Sequence, residues 1–267
     1  MNKYWIWFSR VNKIGAKAQN ELLKKYGTPE IIWSLGKDEL KKILSKEQIK
    51  IVLNNEYKEN LQKYMEYMEK HSIKMITIND EKYPYNLRNI YDPPVVLYLI
   101  GNEDILNSIS IAIIGSRLCS NYGKMVAKQF AYNISKHNIN IVSGIAKGID
   151  ACAHIGAIKA GKPTIAVLGT GLDIVYPEEN RKIYQEIIKT KGVIITEYIV
   201  GTKPDKMNFP ARNRIISGLS TGVLVVEASK KSGTFITIDF ALEQGKNIYA
   251  IPRQYKQYHF NSAQMSS

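Results

Sequence analysis

From residue 109 onward the chain alternates short, unbroken apolar runs with longer amphipathic stretches. The runs ISIAIIGS, NINIVSG, KPTIAVLG, GVIITEY, TGVLVVEA and NIYAIP are rich in branched residues and lack polar alternation. Runs of this kind read as strands buried on both faces. Between them, KMVAKQFAYNISKH and DACAHIGAIKAG are helical in pattern. Strands spaced by helices predict a parallel-rich open sheet with helices on both faces, an extended Rossmann-like α/β domain over residues 105–252.

The first 75 residues follow a different rhythm. NKIGAKAQNELLKKYGTPEIIWSL spaces Ala18, Leu22, Leu23 and Tyr26 at helical intervals. Gly27 supplies a C-terminal cap and Pro29 fits the first turn of the next helix. DELKKILSKEQIKIVL repeats the design, with Asp38 or Ser45 available as N-caps. No strand-like run interrupts these segments, so residues 1–75 predict a small all-helical domain. The KIG turn at Lys13 to Gly15 resembles the phosphate-holding turn of helix-hairpin-helix modules. The full GxG hairpin is absent, and a plain interaction module is the other reading. Residues 76–104 read as an ordered connector in which Tyr83-Pro84 and Pro93-Pro94 fix extended backbone and VVLYLIG forms a strand.

In open α/β sheets ligands bind beyond the carboxyl ends of the strands, where the strand order reverses. Those ends carry small and hydroxylic residues here: Gly115-Ser116-Arg117, Ser143-Gly144, Gly169-Thr170-Gly171 and Ser232-Gly233-Thr234. Glycine lets backbone amides approach an oxyanion, and serine and threonine add hydrogen bonds. One such turn is ordinary turn chemistry, but four on one rim form a phosphate-binding edge. Arg117 adds a charge with bidentate geometry. Lys206 and Phe209, in a loop ahead of Arg212 and Asn213, pair cations with an aromatic, as single-strand binders do. Against this stands the plain alternative of a core phenylalanine beside a solvated lysine. The segment MNFPARNRIISGLS also sets Arg212 and Arg214 at the mouth of a helix, where the dipole disfavours cations unless an anion is close. Two residues apart, they cannot share one helix face; Arg212 is assigned to the ligand, and Arg214 is left open between a ligand contact and a clamp within the domain.

Composition narrows the classes. The 267 residues carry a net charge of +13, which suits a polyanion or an anionic membrane surface, or is a lysine-rich composition with no electrostatic purpose. Cys119 and Cys152 form no CxxC pair and fit a reducing compartment. No stretch approaches the ~18 consecutive apolar residues of a membrane span, and the N-terminal apolar run is too short for a signal sequence. The expectation is a cytoplasmic protein without membrane contact. No GxGxxG follows the first sheet strand, so no dinucleotide cofactor is indicated. GAIKAGKP mimics P-loop spacing, yet Pro163 replaces the Ser/Thr and a strand follows, so it reads as a helix end. His154 lacks an acidic partner in sequence and reads equally well as a packed helical residue. No HxH or HExxH occurs, so a catalytic metal is not expected.

GSRLCSNYG, SGIAKGIDACAH, TIAVLGTGLDIVYPEENRKIY, FPARNRIISGLS, VLVVEASKKSGTFIT and YAIP together resemble the DNA-processing protein A (DprA/Smf) family. The resemblance covers roughly residues 80–252, and the helical N-terminus is similar to that family's sterile-alpha-motif-like or helix-hairpin-helix domain. It implies a cytosolic, non-enzymatic binder of single-stranded DNA that protects incoming strands in natural transformation and loads the RecA recombinase. Carried over by motif, the DNA-contacting residues would be Gly115, Ser116, Arg117, Ser143, Gly144, Lys206, Phe209, Arg212, Asn213, Ser232 and Gly233. The tail, RQYKQYHFNSAQMSS over 253–267, departs from the family pattern, as if shortened or altered. That departure puts in question the homodimer surface which the resemblance implies.

Two other functions fit parts of the pattern. The sheet also resembles nucleotide N-glycoside hydrolases with a PGGxGTxxE signature, in which Gly233-Thr234 would align with the GT and Arg212 or Arg214 with an upstream arginine. Thr237 occupies the glutamate position, and a threonine cannot serve as a carboxylate base. A DNA-independent protein scaffold is the second alternative.

Overall fold

A computed structural model describes residues 2–228 and 232–252; the tail 253–267 lies outside the described residues. Six helices open the chain: α1 (Lys3–Arg10), α2 (Ala16–Tyr26), α3 (Pro29–Trp33), α4 (Lys37–Leu40), α5 (Lys46–Leu53) and α6 (Leu61–Lys70). Gly27 closes α2 at φ +80°, and Pro29 begins α3. Ser45, not Asp38, is the capping residue that matters. It forms a reciprocal capping box with Gln48 at the start of α5.

The remaining elements alternate. They are β1 (Lys74–Thr77), α7 (Tyr85–Arg88), β2 (Val96–Gly101), β3 (Ser110–Gly115), α8 (Asn121–Lys136), β4 (Asn140–Ser143), α9 (Ile149–Lys159) and β5 (Thr164–Val167). After them come α10 (Arg181–Lys189), β6 (Val193–Thr196), α11 (Asn208–Leu219), β7 (Gly222–Glu227), α12 (Thr234–Glu243) and β8 (Asn247–Ala250). The six apolar runs are strands β3 to β8, and all pair in parallel. Strand order is β1-β2-β6-β5-β4-β3-β7-β8. The chain steps outward from β3 through β4, β5 and β6, then returns to place β7 on the other side of β3, so the order reverses between β3 and β7.

Strand β1 was not expected. KMIT is too short to carry a periodic signal; its identity comes from antiparallel pairing with β2, which itself pairs antiparallel with β6. VVLYLIG is thereby part of the sheet.

Both sheet faces are covered, as the unalternating runs require. On one face Ile113, Ile141 and Leu224 meet Val126, Ala131, Ile149 and Ala153 of α8 and α9. The N-terminal helices and α10 continue that layer over Val96, Tyr98, Ala166 and Ile194. Trp5, Ile6, Trp7 and Phe8 of α1 are buried there, and the Ser9 and Tyr98 hydroxyls lie 2.6 Å apart in a hydrogen bond. The opposite face packs Ala112, Ile114, Val167 and Val225 against Ile215, Ile216 and Leu219 of α11 and Tyr83 and Leu87. The GAIKAGKP segment is the end of α9 and a turn into β5.

Candidate nucleic-acid interface

A cavity of about 790 Å³ opens at the carboxyl ends of β3 and β7, where the strand order reverses. Gly115, Ser116 and Arg117 form one wall, Lys206, Phe209, Arg212 and Asn213 a second, and Ser232 and Gly233 a third. Three chain segments that are remote in sequence therefore face one volume.

The first wall is fixed from within. Ser116 donates its amide to the Glu227 carbonyl at 2.7 Å. Its hydroxyl donates to the Leu118 carbonyl at 2.9 Å and accepts the Leu118 amide at 3.2 Å. These bonds shape the turn and leave Arg117 exposed. Gly148 supports the turn from below at φ +78°. A Cβ there would approach the Ser116 and Arg117 carbonyl oxygens to 2.4 and 2.6 Å, so both conformation and space demand glycine.

The second wall differs from the sequence reading. Helix α11 begins at Asn208, so Phe209 sits in its first turn and not in the preceding loop. The ring packs on Gly169, where a Cβ would meet it at 2.9 Å. Tyr176 lies beside it at 5.4 Å between centroids, tilted by 30°, and the Arg117 guanidinium stands 5.6 Å from the ring centroid. Tyr176 is a cavity residue the sequence did not single out. Its loop position gave no periodic signal, and only contact with Phe209 reveals it. Lys206 is exposed at the rim.

Arg212 is buried, at 4% exposure. Its guanidinium donates to the Gly144 carbonyl at 3.0 Å and to the Val167 carbonyl, and its Nε to the Asn213 side chain at 3.2 Å. It therefore ties together the ends of β4 and β5 while its flank faces the cavity. Burial lowers its pKa to about 10, with Asp150 pulling in the other direction, so it stays cationic at neutral pH. Burial raises the Asp150 pKa, opposed by Arg212 and by the Gly144 amide, which donates to its carboxylate at 3.1 Å.

Arg214 points elsewhere. It makes a paired bridge to Glu197 at 2.6 and 2.7 Å and reaches the Asp92 carboxylate at 3.1 Å. Burial works to lower its pKa, but Glu197 and Asp92 more than reverse this and raise it. Two residues of separation turn the two guanidinium groups to different partners, as helical geometry requires.

Ser143 does not reach the cavity: it is wholly buried and its hydroxyl donates to the Ile113 carbonyl at 2.7 Å. Gly144 lies beneath, flanked by Arg212 and Asp150. His154 is also a core residue, with Nδ1 2.9 Å from the Thr164 hydroxyl and a pKa lowered by burial to about 3.

On the third wall the Ser232 hydroxyl hydrogen-bonds the Thr234 hydroxyl at 2.6 Å and accepts the Thr234 amide at 3.1 Å, opening α12. Neither α11 nor α12 has an acidic residue in its first turn, but both starts, which border the cavity, are capped: the Asp205 carboxylate accepts the Met207 amide at 2.7 Å ahead of α11, and Ser232 caps α12. The start of helix α8 is likewise engaged. The Glu227 carboxylate accepts the Ser120 amide at 3.1 Å and its hydroxyl at 2.8 Å, satisfying that end internally. Arg117 and Lys206 set exposed cations on the cavity wall, the chemistry that suits an anionic ligand.

A doubly wound sheet with a cationic, partly aromatic cavity at its switch point defines a Rossmann-like α/β protein. The family model for DNA recombination-mediator protein A matches residues 74–266, and the chain belongs to that family. DNA processing protein DprA of Streptococcus pneumoniae is 45% identical over 176 residues, 66% of this chain and 62% of that protein. Protein Smf of Synechocystis sp. is 36% identical over 256 residues, 93% of this chain and 64% of that protein. The chain thus spans a little under two thirds of the length of these two relatives. The X-ray structure of DprA from Streptococcus pneumoniae superposes with a TM-score of 0.73 at 33% identity, covering 96% of this chain and 89% of that one. DNA processing protein A from Helicobacter pylori, whose structure is described for its single-stranded DNA binding mode, gives 0.63 at 32%, covering 69% and 82%. No helix among the described residues is long and apolar enough to cross a membrane.

Proposed function

We propose that this chain binds single-stranded DNA in the switch-point cavity and acts as a non-enzymatic recombination mediator. The carrying observation is the convergence of Arg117, Lys206, Phe209 and the first turns of α11 and α12 on one volume. Phosphate is held by the cations, which carry no sequence information. Phe209 and Tyr176 offer aromatic surface to a base, which is accessible only in a single strand.

The proposal extends to the finer roles that the family resemblance suggests: covering incoming strands during transformation, handing them to RecA, working in the cytoplasm and as a homodimer. The cavity supports binding without catalysis. Thr237 lines it where a hydrolase needs a carboxylate, and Asp150 folds back onto the Gly144 amide and lies beside Arg212, leaving it poorly placed as a base.

Anisotropy titration of labelled oligothymidylate and of a duplex of equal length, at two salt concentrations, tests the reading. Single strands are expected to bind more tightly, with a log–log salt slope of about −0.7 per neutralised phosphate. Equal affinity for duplex, or affinity indifferent to salt, overturns it.

A further inference from the structure

Asp150 is the only acidic residue between Asp104 and Asp173, and it is buried. The charged side chains this part of the chain exposes are therefore cationic, with carboxylates supplied from elsewhere by Glu179 on Lys147 and Glu227 at the start of α8. Much of that charge lies on helix α8, which contains no acidic residue and sets Lys124, Lys128, Tyr132 and Lys136 four apart in a single stripe. Residues at that interval share a face, rising about 6 Å per step and about 18 Å over the stripe.

The stripe borders a groove of about 590 Å³ between α8 and α9, walled by Asn121, Lys124, Met125, Lys128, Tyr132 and Lys159. The helices cross closely there, because Gly156 of α9 meets the Lys128 carbonyl where a Cβ would stand only 2.4 Å away. Lys124, Lys128 and Lys159 make no ion pair among the described residues. Lys136 Nζ lies 4.7 Å from the centroid of the Tyr132 ring, so an aromatic stands among the cations. Met125 is 56% exposed beside them.

The groove also begins where the cavity ends. Ser116, Arg117 and Leu118 belong to the cavity wall, and Asn121, three residues on, opens both α8 and the groove. A strand leaving the cavity past Arg117 meets Lys124 one turn into the helix.

We propose that the α8–α9 groove is a second single-strand subsite, a track that carries DNA emerging from the cavity. It rests on the reading of the cavity given above. Three lysines bind successive phosphates along the groove, and Tyr132 offers a stacking face. Charge complementarity selects the occupant: α8 supplies lysines and no carboxylate, the Glu227 carboxylate at its start is engaged by Ser120, and the half-buried aromatic favours an unpaired strand.

The test compares the parent with a K124Q/K128Q/K159Q variant on oligothymidylates of roughly 6 and roughly 20 nucleotides, the first filling the cavity alone and the second running past it. Circular dichroism confirms folding of the variant. The variant is expected to match the parent on the short oligonucleotide. On the long one its salt slope should be shallower by about 2, from three phosphates at about 0.7 each. Between 50 and 200 mM salt the parent should therefore lose roughly twentyfold more affinity for it than the variant does. A variant identical to the parent on both lengths overturns the track and leaves the cavity reading intact. Equal loss on both lengths also overturns it, as does a loss confined to duplex DNA. A parent that binds neither oligonucleotide overturns the cavity reading itself, and the track with it.

Discussion

Replacing Arg214 with methionine separates the two arginines of α11 by experiment. The guanidinium is 5% exposed and bridges Glu197, 14% exposed, through two bonds of 2.6 and 2.7 Å; Asp92, 33% exposed, adds a contact at 3.1 Å. The loss of Arg214 strands the Glu197 carboxylate in the interior. Breaking a buried pair from one side costs about 3–5 kcal/mol. Asp92 adds little to this because solvent screens it. For a chain of this size, 1 kcal/mol shifts the melting temperature by about 2–4 °C, so the R214M variant should melt about 6–20 °C lower. Removing both charges, as R214M/E197L, should recover most of that loss, because a well-packed apolar pair is often as stable as a buried bridge. The assay is thermal and urea unfolding followed by circular dichroism, with single-strand affinity measured on the folded protein. A single variant as stable as the parent refutes the clamp. So does a stable variant that has lost DNA binding, since Arg214 would then be a ligand residue.

The other predictions concern the cavity and the core beneath it. F209A should weaken single-strand binding by about 1–3 kcal/mol, the worth of one stacked base, while R117A should weaken binding of all sequences alike; parental affinity for oligothymidylate in either variant discards that residue. G148A should destabilise by at least about 1–2 kcal/mol through its positive φ and should also weaken DNA binding, because its Cβ displaces the turn that carries Arg117; urea melts and anisotropy read the two effects. His154 has a folded pKa of about 3 against 6.5 unfolded, so the unfolded state binds the extra proton between these values. Its stabilising contribution is full above pH 6.5 and is lost as pH falls toward 3, by about 2–3 kcal/mol at pH 4.5. H154L should unfold with a correspondingly flatter pH dependence, and an unchanged profile would refute the assignment. Incubation with nucleoside monophosphates should release no free base, a result read by chromatography.

The strand-and-helix rhythm after residue 109 was legible because a sheet buried on both faces needs unbroken apolar runs. The glycine and serine strand ends were legible for a related reason: backbone that closes over a ligand leaves no room for larger side chains. That reasoning placed Arg117, Lys206, Phe209 and Ser232 on a common rim, and the structure brings them to one cavity. It failed for Ser143, because a hydroxyl at a strand end serves the interior equally well and sequence does not say which carbonyl is nearest. Tyr176 was invisible for the same reason, since its role is a contact with a residue thirty-three positions away. Strand β1 exists only through its partner.

What the sequence determined alone is therefore the periodic part: the helical N-terminal segment, the parallel strands, the small residues at their ends and the basic excess. Tertiary structure decided what each charge meets. Arg212 and Arg214 are indistinguishable in MNFPARNRIISGLS, yet one ties the carbonyl ends of β4 and β5 and the other bridges Glu197 and Asp92. Periodicity is a property of neighbours along the chain, whereas the electrostatic role of a buried cation depends on groups that only folding brings within a few ångströms.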